Sequence, residues 1–106
     1  MPRYLLKVSY TLEGVRGLTA KGGSARRKVA EAAAKSVGGK LESFDFAFGG
    51  TDVYAIADMP DHAAAAALAL GVTAGGGAAV RTVVLLSPEE IDEASKKTVD
   101  YVPPGG

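Results

Sequence analysis

The sequence predicts an α+β fold in which two β-α-β halves share one antiparallel sheet. Three observations predict it. Three segments alternate apolar and polar residues and a fourth is rich in β-branched ones, helix-period segments separate the first from the second and the third from the fourth, and glycine or proline marks the boundaries between them. The most informative stretch runs from Gly49 to Asp61, where a glycine turn opens into an alternating strand that stops at Pro60-Asp61.

The first strand covers Arg3 to Thr11, with Leu6, Val8 and Tyr10 on one face and Lys7, Ser9 and Thr11 on the other. Leu12 to Gly23 holds Gly14, Gly17, Gly22 and Gly23 and reads as a loop or frayed turn. Ser24 is placed to cap the next helix, whose inward stripe is Ala25, Val29, Ala33 and Val37. On that helix Arg26, Arg27, Lys28, Glu31 and Lys35 face water, with Arg27–Glu31 and Glu31–Lys35 spaced as ion pairs. Gly38-Gly39 ends it.

Lys40 to Phe48 is the second strand, with Phe44, Phe46 and Phe48 on one face and Glu42 sharing that face. Gly49-Gly50 forms the hairpin turn, and Asp52 to Met59 is the third strand with Val53, Ala55 and Ala57 on one side. Asp61 caps a second helix from His62 to Leu70, whose alanines Ala63 to Ala67 favour helix and carry little bulk. Ala78 to Leu86 is the fourth strand. Ser87-Pro88-Glu89-Glu90 is a capping box with proline at the first helical position, opening a short helix to Lys97. Val99 to Gly106 is an extended tail.

This order, β-α-β-β-α-β with an appended helix, is the ferredoxin-like arrangement, with strands one and three central and strands two and four at the edges. Two helices then cover one sheet face and leave the other bare. A bare face with apolar residues from several strands calls for a partner, and a second copy, sheet against sheet, is the expected one. The expected product is a homodimer or a higher oligomer, with the tail lying across a neighbour.

At 106 residues the chain is expected to form one domain, 1–106, with one modest core. The net charge is zero, which argues against nucleic acid as a partner, since such binders carry a basic face. The sequence has no cysteine, so it has no disulfide, thiolate nucleophile or cysteine metal site, as suits a reducing compartment. Met1-Pro2-Arg3-Tyr4 leads into a strand instead of an apolar leader, and the apolar run Ala63 to Val72 is broken at Gly71, far short of the ~20 residues of a membrane span. A cytoplasmic protein is expected, with no membrane partner and with no obligate metal, haem or other cofactor.

Several motifs, in order, resemble the GYD-domain family of small bacterial proteins. They are Tyr10-Thr11 with Gly14-Val15, Gly38-Gly39-Lys40-Leu41, Gly50-Thr51-Asp52 through Met59-Pro60-Asp61, Val80-Arg81-Thr82, and Pro88-Glu89-Glu90. Together they span nearly the whole chain. The departure is Thr51, which stands where the family has the tyrosine of Gly-Tyr-Asp. The resemblance implies a dimeric α/β barrel, a group that includes cofactor-free monooxygenases, isomerases and haem-degrading enzymes as well as proteins that only bind or assemble. It implies no particular chemistry, because function resides in sites and not in folds.

The candidate ligand-pocket residues are Tyr10, Phe48, Asp52, Tyr54, His62 and Arg81. His62 is the only histidine and sits in the first turn of a helix, where the dipole disfavours imidazolium; it serves either as a neutral base or as an ordinary helix-start residue. Asp52 either turns or caps the hairpin or binds a polar ligand group near Phe48 and Tyr54. Arg81 is a candidate charge partner, although strand one separates its strand from that of Asp52. Tyr4, Tyr10, Phe44, Phe46 and Phe48 could line a pocket, but an aromatic stripe at strand spacing is more often core or interface. The glycine-rich segment Gly17 to Ser24 resembles a phosphate loop, but Gly23 stands where that loop needs its lysine. Lys21, Arg26, Arg27 and Lys28 around a helix start instead form either a loose anion site or a solvated basic face.

Two functions follow from these residues. One is a small-molecule-binding or assembly domain, favoured because no constellation demands catalysis. The other is a cofactor-independent enzyme acting on an apolar or aromatic metabolite, with Asp52 or His62 moving a proton and Tyr54 and Arg81 stabilising negative charge. The enzyme requires at least two of those four side chains to converge on one cavity.

Overall fold

The computed structural model describes residues 1–47 and 49–106. The elements run β1 (Arg3–Tyr10), α1 (Leu12–Lys21), α2 (Gly23–Ser36), β2 (Lys40–Phe46), β3 (Val53–Asp58), α3 (His62–Ala74), β4 (Ala78–Leu85) and α4 (Pro88–Ser95). The strands form one sheet in the order β2-β3-β1-β4 with every neighbouring pair antiparallel, so β1 and β3 are central. No helix among the described residues is long and apolar enough to cross a membrane.

Alternation along the central strands divides the sheet into two faces. Tyr4 and Leu6 on β1 and Val53, Ala55 and Ala57 on β3 are buried, and with Ala34, Met59 and Ala65 they form the core beneath α2 and α3. Burying each of Tyr4, Val53 and Met59 contributes on the order of 2 kcal/mol. Gly39 lets β2 enter tightly over this core, since a side chain there would press on the Met59 sulfur and the Asp58 carbonyl.

The largest correction to the sequence reading is α1, which occupies the segment read as a loop. Thr11 starts it, accepting a hydrogen bond at its hydroxyl from Gly14 N at 3.2 Å and donating to the Gly76 carbonyl at 2.9 Å. The same residue's amide donates to the Gly77 carbonyl at 3.0 Å, so the start of α1 is anchored to the α3–β4 turn. Gly14 meets Gly77 so closely that no side chain fits between them. Two glycines inside a helix are unfavourable in isolation. Here the cap and the close approach offset that cost, and neither is visible to local propensity.

Other boundaries move for physical reasons. The residue that precedes α2 is Gly22, at φ 87°, and it makes no side-chain cap; Ser24 lies inside the helix. The one fully buried residue of α2 is Ala34, outside the expected stripe, while Val29 of that stripe is 51% exposed where it lines the groove between α2 and α3. Of the two expected ion pairs only Arg27–Glu31 forms, at 3.5 Å. A bulge between Leu41 and Ser43 turns Glu42 away from the phenylalanines, and its carboxylate accepts from Arg3 Nε at 2.8 Å. Strand β2 closes at Phe46, and the expected continuation to Phe48 lies outside the described residues. Strand β3 loses Asp52 and Met59 from its ends, and α3 continues past Gly71 to Ala74 because its hydrogen-bonded turns persist to the Gly75 cap.

Ser87, Pro88 and Glu90 form the expected capping box, with bonds of 3.0 and 3.1 Å. The helix it opens closes at Ser95 and not Lys97, buries no residue, and leaves Ile91, Val99, Tyr101 and Val102 exposed along the C-terminal arm. With that arm the molecule is 56 Å long and has a radius of gyration of 16.9 Å, against the ~13 Å of a compact chain of this size.

Candidate functional site

The residues with the richest chemistry gather where β1 ends. Tyr10 donates its backbone N–H to the Asp52 carboxylate at 2.8 Å, and Asp52 returns its own N–H to the Val8 carbonyl at 2.9 Å. The Asp52 carbonyl also accepts from Ala47 N at 2.9 Å, so this one residue joins β1 to the β2–β3 connection. Its side chain thus braces β1, and its main chain the hairpin.

Above Tyr10, the Arg26 guanidinium lies 6.0 Å from the ring centroid, within cation–π range. Burial pushes the Tyr10 phenol above its ordinary range; hydrogen bonding and charge from Arg26 pull it back, and Asp52 pushes it further up. Arg26, expected to face water, is half-buried instead and has no carboxylate within 4.0 Å among the described residues, whereas Arg3 and Arg27 are each paired.

The alanines of α2 leave the interior incompletely filled. A cavity of about 70 Å³ lies between sheet and helices, walled by Leu6, Val8, Ala33, Leu68 and Val80 among others. Among the described residues its only polar lining side chains are Tyr10 and Arg26. Over it runs a groove of about 410 Å³ between α2 and α3, floored by Ala33, Ala67, Leu68, Gly71 and Val72. A third cleft, of about 220 Å³, joins at Arg26 from the side of Lys21, Gly22 and Tyr10. Arg26 and Val29 line all three spaces, so the openings meet at the arginine.

His62 belongs to the other end of the sheet. Asp61 caps α3 through Ala64 N at 2.8 Å, as the sequence predicts, which sets the His62 ring against Tyr4. The Tyr4 hydroxyl and His62 Nδ1 are hydrogen-bonded at 2.5 Å, with the rings edge to face at 5.7 Å. The pair borders an open groove with Ala65, Ala66, Thr82 and Val84. Tyr4 and Tyr10 are six residues apart along β1, so His62 and Asp52 are separated by about 20 Å.

Tyr54 and Arg81 point to the uncovered face. In register across the sheet stand Asp45, Tyr54, Lys7 and Arg81, one from each strand. The next row on that face is Ser43, Ile56, Leu5 and Val83, and the one beyond it Lys40, Asp58, Arg3 and Leu85. An apolar band thus runs between two charged rows. Of the six sequence candidates, Tyr10 and Asp52 are brought together, His62 stands apart, Tyr54 and Arg81 share the open face, and Phe48 lies outside the described residues. Sequence reasoning named Arg26 only within a basic cluster with Lys21, Arg27 and Lys28, and missed its turn to the cavity mouth over Tyr10; it also missed Tyr4 as the partner of His62. No local signal could have found the Tyr4–His62 contact, which spans 58 residues.

Among the described residues no group of three His, Asp or Glu side chains could hold a metal ion. Compared with known proteins, the family model described as the GYD domain matches residues 4–95. No curated protein and no solved structure matches the chain.

Proposed function

The chain belongs to the GYD-domain family, and from that premise we propose that it is a homo-oligomeric small-molecule-binding domain of the ferredoxin-like, dimeric α/β-barrel type. The observation that carries this reading is the unfilled apolar interior, with Tyr10 and Arg26 at its mouth. Well-packed domains close such space with larger side chains; here Ala30, Ala33 and Ala34 face it from α2, opposite Leu68 and Val72 of α3. The binding reading is preferred to the enzymatic alternative because, among the described residues, none of the five clefts brings together two of Asp52, His62, Tyr54 and Arg81.

Pairing with a second copy through the open sheet face follows from the band of Leu5, Ile56 and Val83. The flanking row carries Asp45 at one edge and Lys7 and Arg81 towards the other. A two-fold axis along the strands sets the acidic end of each row against the basic end of its mate, which makes the face self-complementary. A cytoplasmic setting without obligate metal, haem or nucleic acid fits the absence of cysteine and the zero net charge.

Two measurements test the proposal. Sedimentation equilibrium at micromolar concentration is expected to give a dimer or a multiple of it; a monomer removes the oligomeric half. A thermal-shift screen of small apolar metabolites is expected to raise Tm for some compounds, with the gain lost in Ala33→Leu, which fills the space. A flat response from wild-type protein removes the binding half.

A further inference from the structure

We propose that the interior cavity is built for a short aliphatic carboxylate, with the hydrocarbon end among Leu6, Val8 and Val80 and the carboxylate on Arg26 and Tyr10. This rests on the reading of the domain as a small-molecule binder and names the ligand class. Three observations carry it.

First, the cavity wall is apolar except at one place, and the exception is an arginine beside a phenol. A guanidinium offers a fork of donors matched to a carboxylate, and a tyrosine hydroxyl can donate to the same oxygens. Second, Arg26 has no acidic partner within 4.0 Å among the described residues while it is half-buried, so its positive charge is uncompensated at the mouth of an apolar space. Asp52, the acid that acts on Tyr10, already accepts the Tyr10 N–H on the β1 side. Third, the size selects the hydrocarbon. The cavity, at about 70 Å³, is about half the ~150 Å³ that admits benzene, so it takes the end of an aliphatic chain and not a ring. The groove above, about 410 Å³, opens at Arg26 and gives room to the carbons between the buried end and the carboxylate.

The test uses the full chain, with hexanoate and its neutral counterpart 1-hexanol as probes, followed by amide NMR titration. Wild-type protein is expected to bind hexanoate about tenfold or more tightly than hexanol, with the shifts confined to residues of the cavity and groove. Arg26→Gln is expected to reduce hexanoate affinity to within about twofold of that for hexanol while leaving hexanol unchanged, and Tyr10→Phe to weaken hexanoate by a smaller factor. Arg27→Gln removes the same charge from a residue engaged with Glu31, and is expected to leave both probes unaffected. Equal loss in Arg26→Gln and Arg27→Gln overturns the site, because the effect is then diffuse electrostatics. Hexanol binding as tightly as hexanoate overturns the carboxylate assignment and leaves the small-molecule reading standing. Binding of neither probe to well-folded wild-type protein overturns the inference, and a flat metabolite screen then overturns the wider reading with it.

Discussion

Asp52 holds Tyr10 by its backbone: the carboxylate accepts the Tyr10 N–H at 2.8 Å across 42 residues of sequence. The contact keeps the last residue of a central strand in line, and so sets where the phenol beneath Arg26 stands. Asp52→Ala leaves that N–H without its charged acceptor, and is expected to cost about 1.5–2 kcal/mol in urea denaturation. Asp52→Asn, which keeps an acceptor oxygen, is expected to restore roughly half. An Ala variant as stable as wild type would show that the bond contributes nothing.

Gly14→Ala forces a methyl group against the Gly77 carbonyl. Despite the better helix propensity of alanine, a loss of about 1–3 kcal/mol is expected, because the anchored start of α1 must shift. Chemical denaturation measures it, and a stabilised variant would contradict the close approach.

Tyr4→Phe removes the hydroxyl that meets His62 Nδ1 while leaving the ring in the core. The histidine is exposed and can turn to water, so the expected loss is only about 0.5–1 kcal/mol. Nitrogen NMR of the imidazole is the sharper measure: Nδ1 is expected to shift in Tyr4→Phe and Nε2 to change less.

The raised Tyr10 phenol sets the sign of an alkaline effect. Its folded-state pKa lies above the unfolded value of about 10, so the protonated phenol's contribution is complete below that value and is lost as pH rises through the higher one. Wild-type stability is therefore expected to fall more steeply than that of Tyr10→Phe above roughly pH 10. Parallel curves for the two proteins would refute the shift.

Val83→Lys places a charge in the middle of the apolar band that Leu5 and Ile56 continue. The protein is expected to remain folded by circular dichroism and to sediment as a monomer. A dimer of undiminished strength would move the interface elsewhere, with the exposed C-terminal arm the next surface to examine.

What was legible in the sequence was what local chemistry encodes. The Leu6-Val8-Tyr10 alternation, the Asp61 cap and the Ser87–Glu90 box each act within a few residues, and each stands where the pattern predicts. Helix α1 was not legible because its stability comes from Thr11 and Gly14 meeting a turn more than sixty residues away. Glu42 changed faces because a bulge breaks the period on which alternation depends. At the site, Tyr10 and Asp52 were named as candidates, but their contact was not foreseen. Arg26 was read on the wrong side of its helix, since the gap between α2 and α3 exists only once the helices are placed.

That gap has an evolutionary consequence. Ala33 and Ala67 line it, and Ala30 and Ala33 wall the cavity below. One base change turns an alanine codon into a valine codon, and each such change would subtract about two methyl groups of space without touching the sheet. The chamber can therefore be resized in small heritable steps while the scaffold and its pairing face stay as they are. A lineage of this kind would diverge first in what its members hold and last in how they fold.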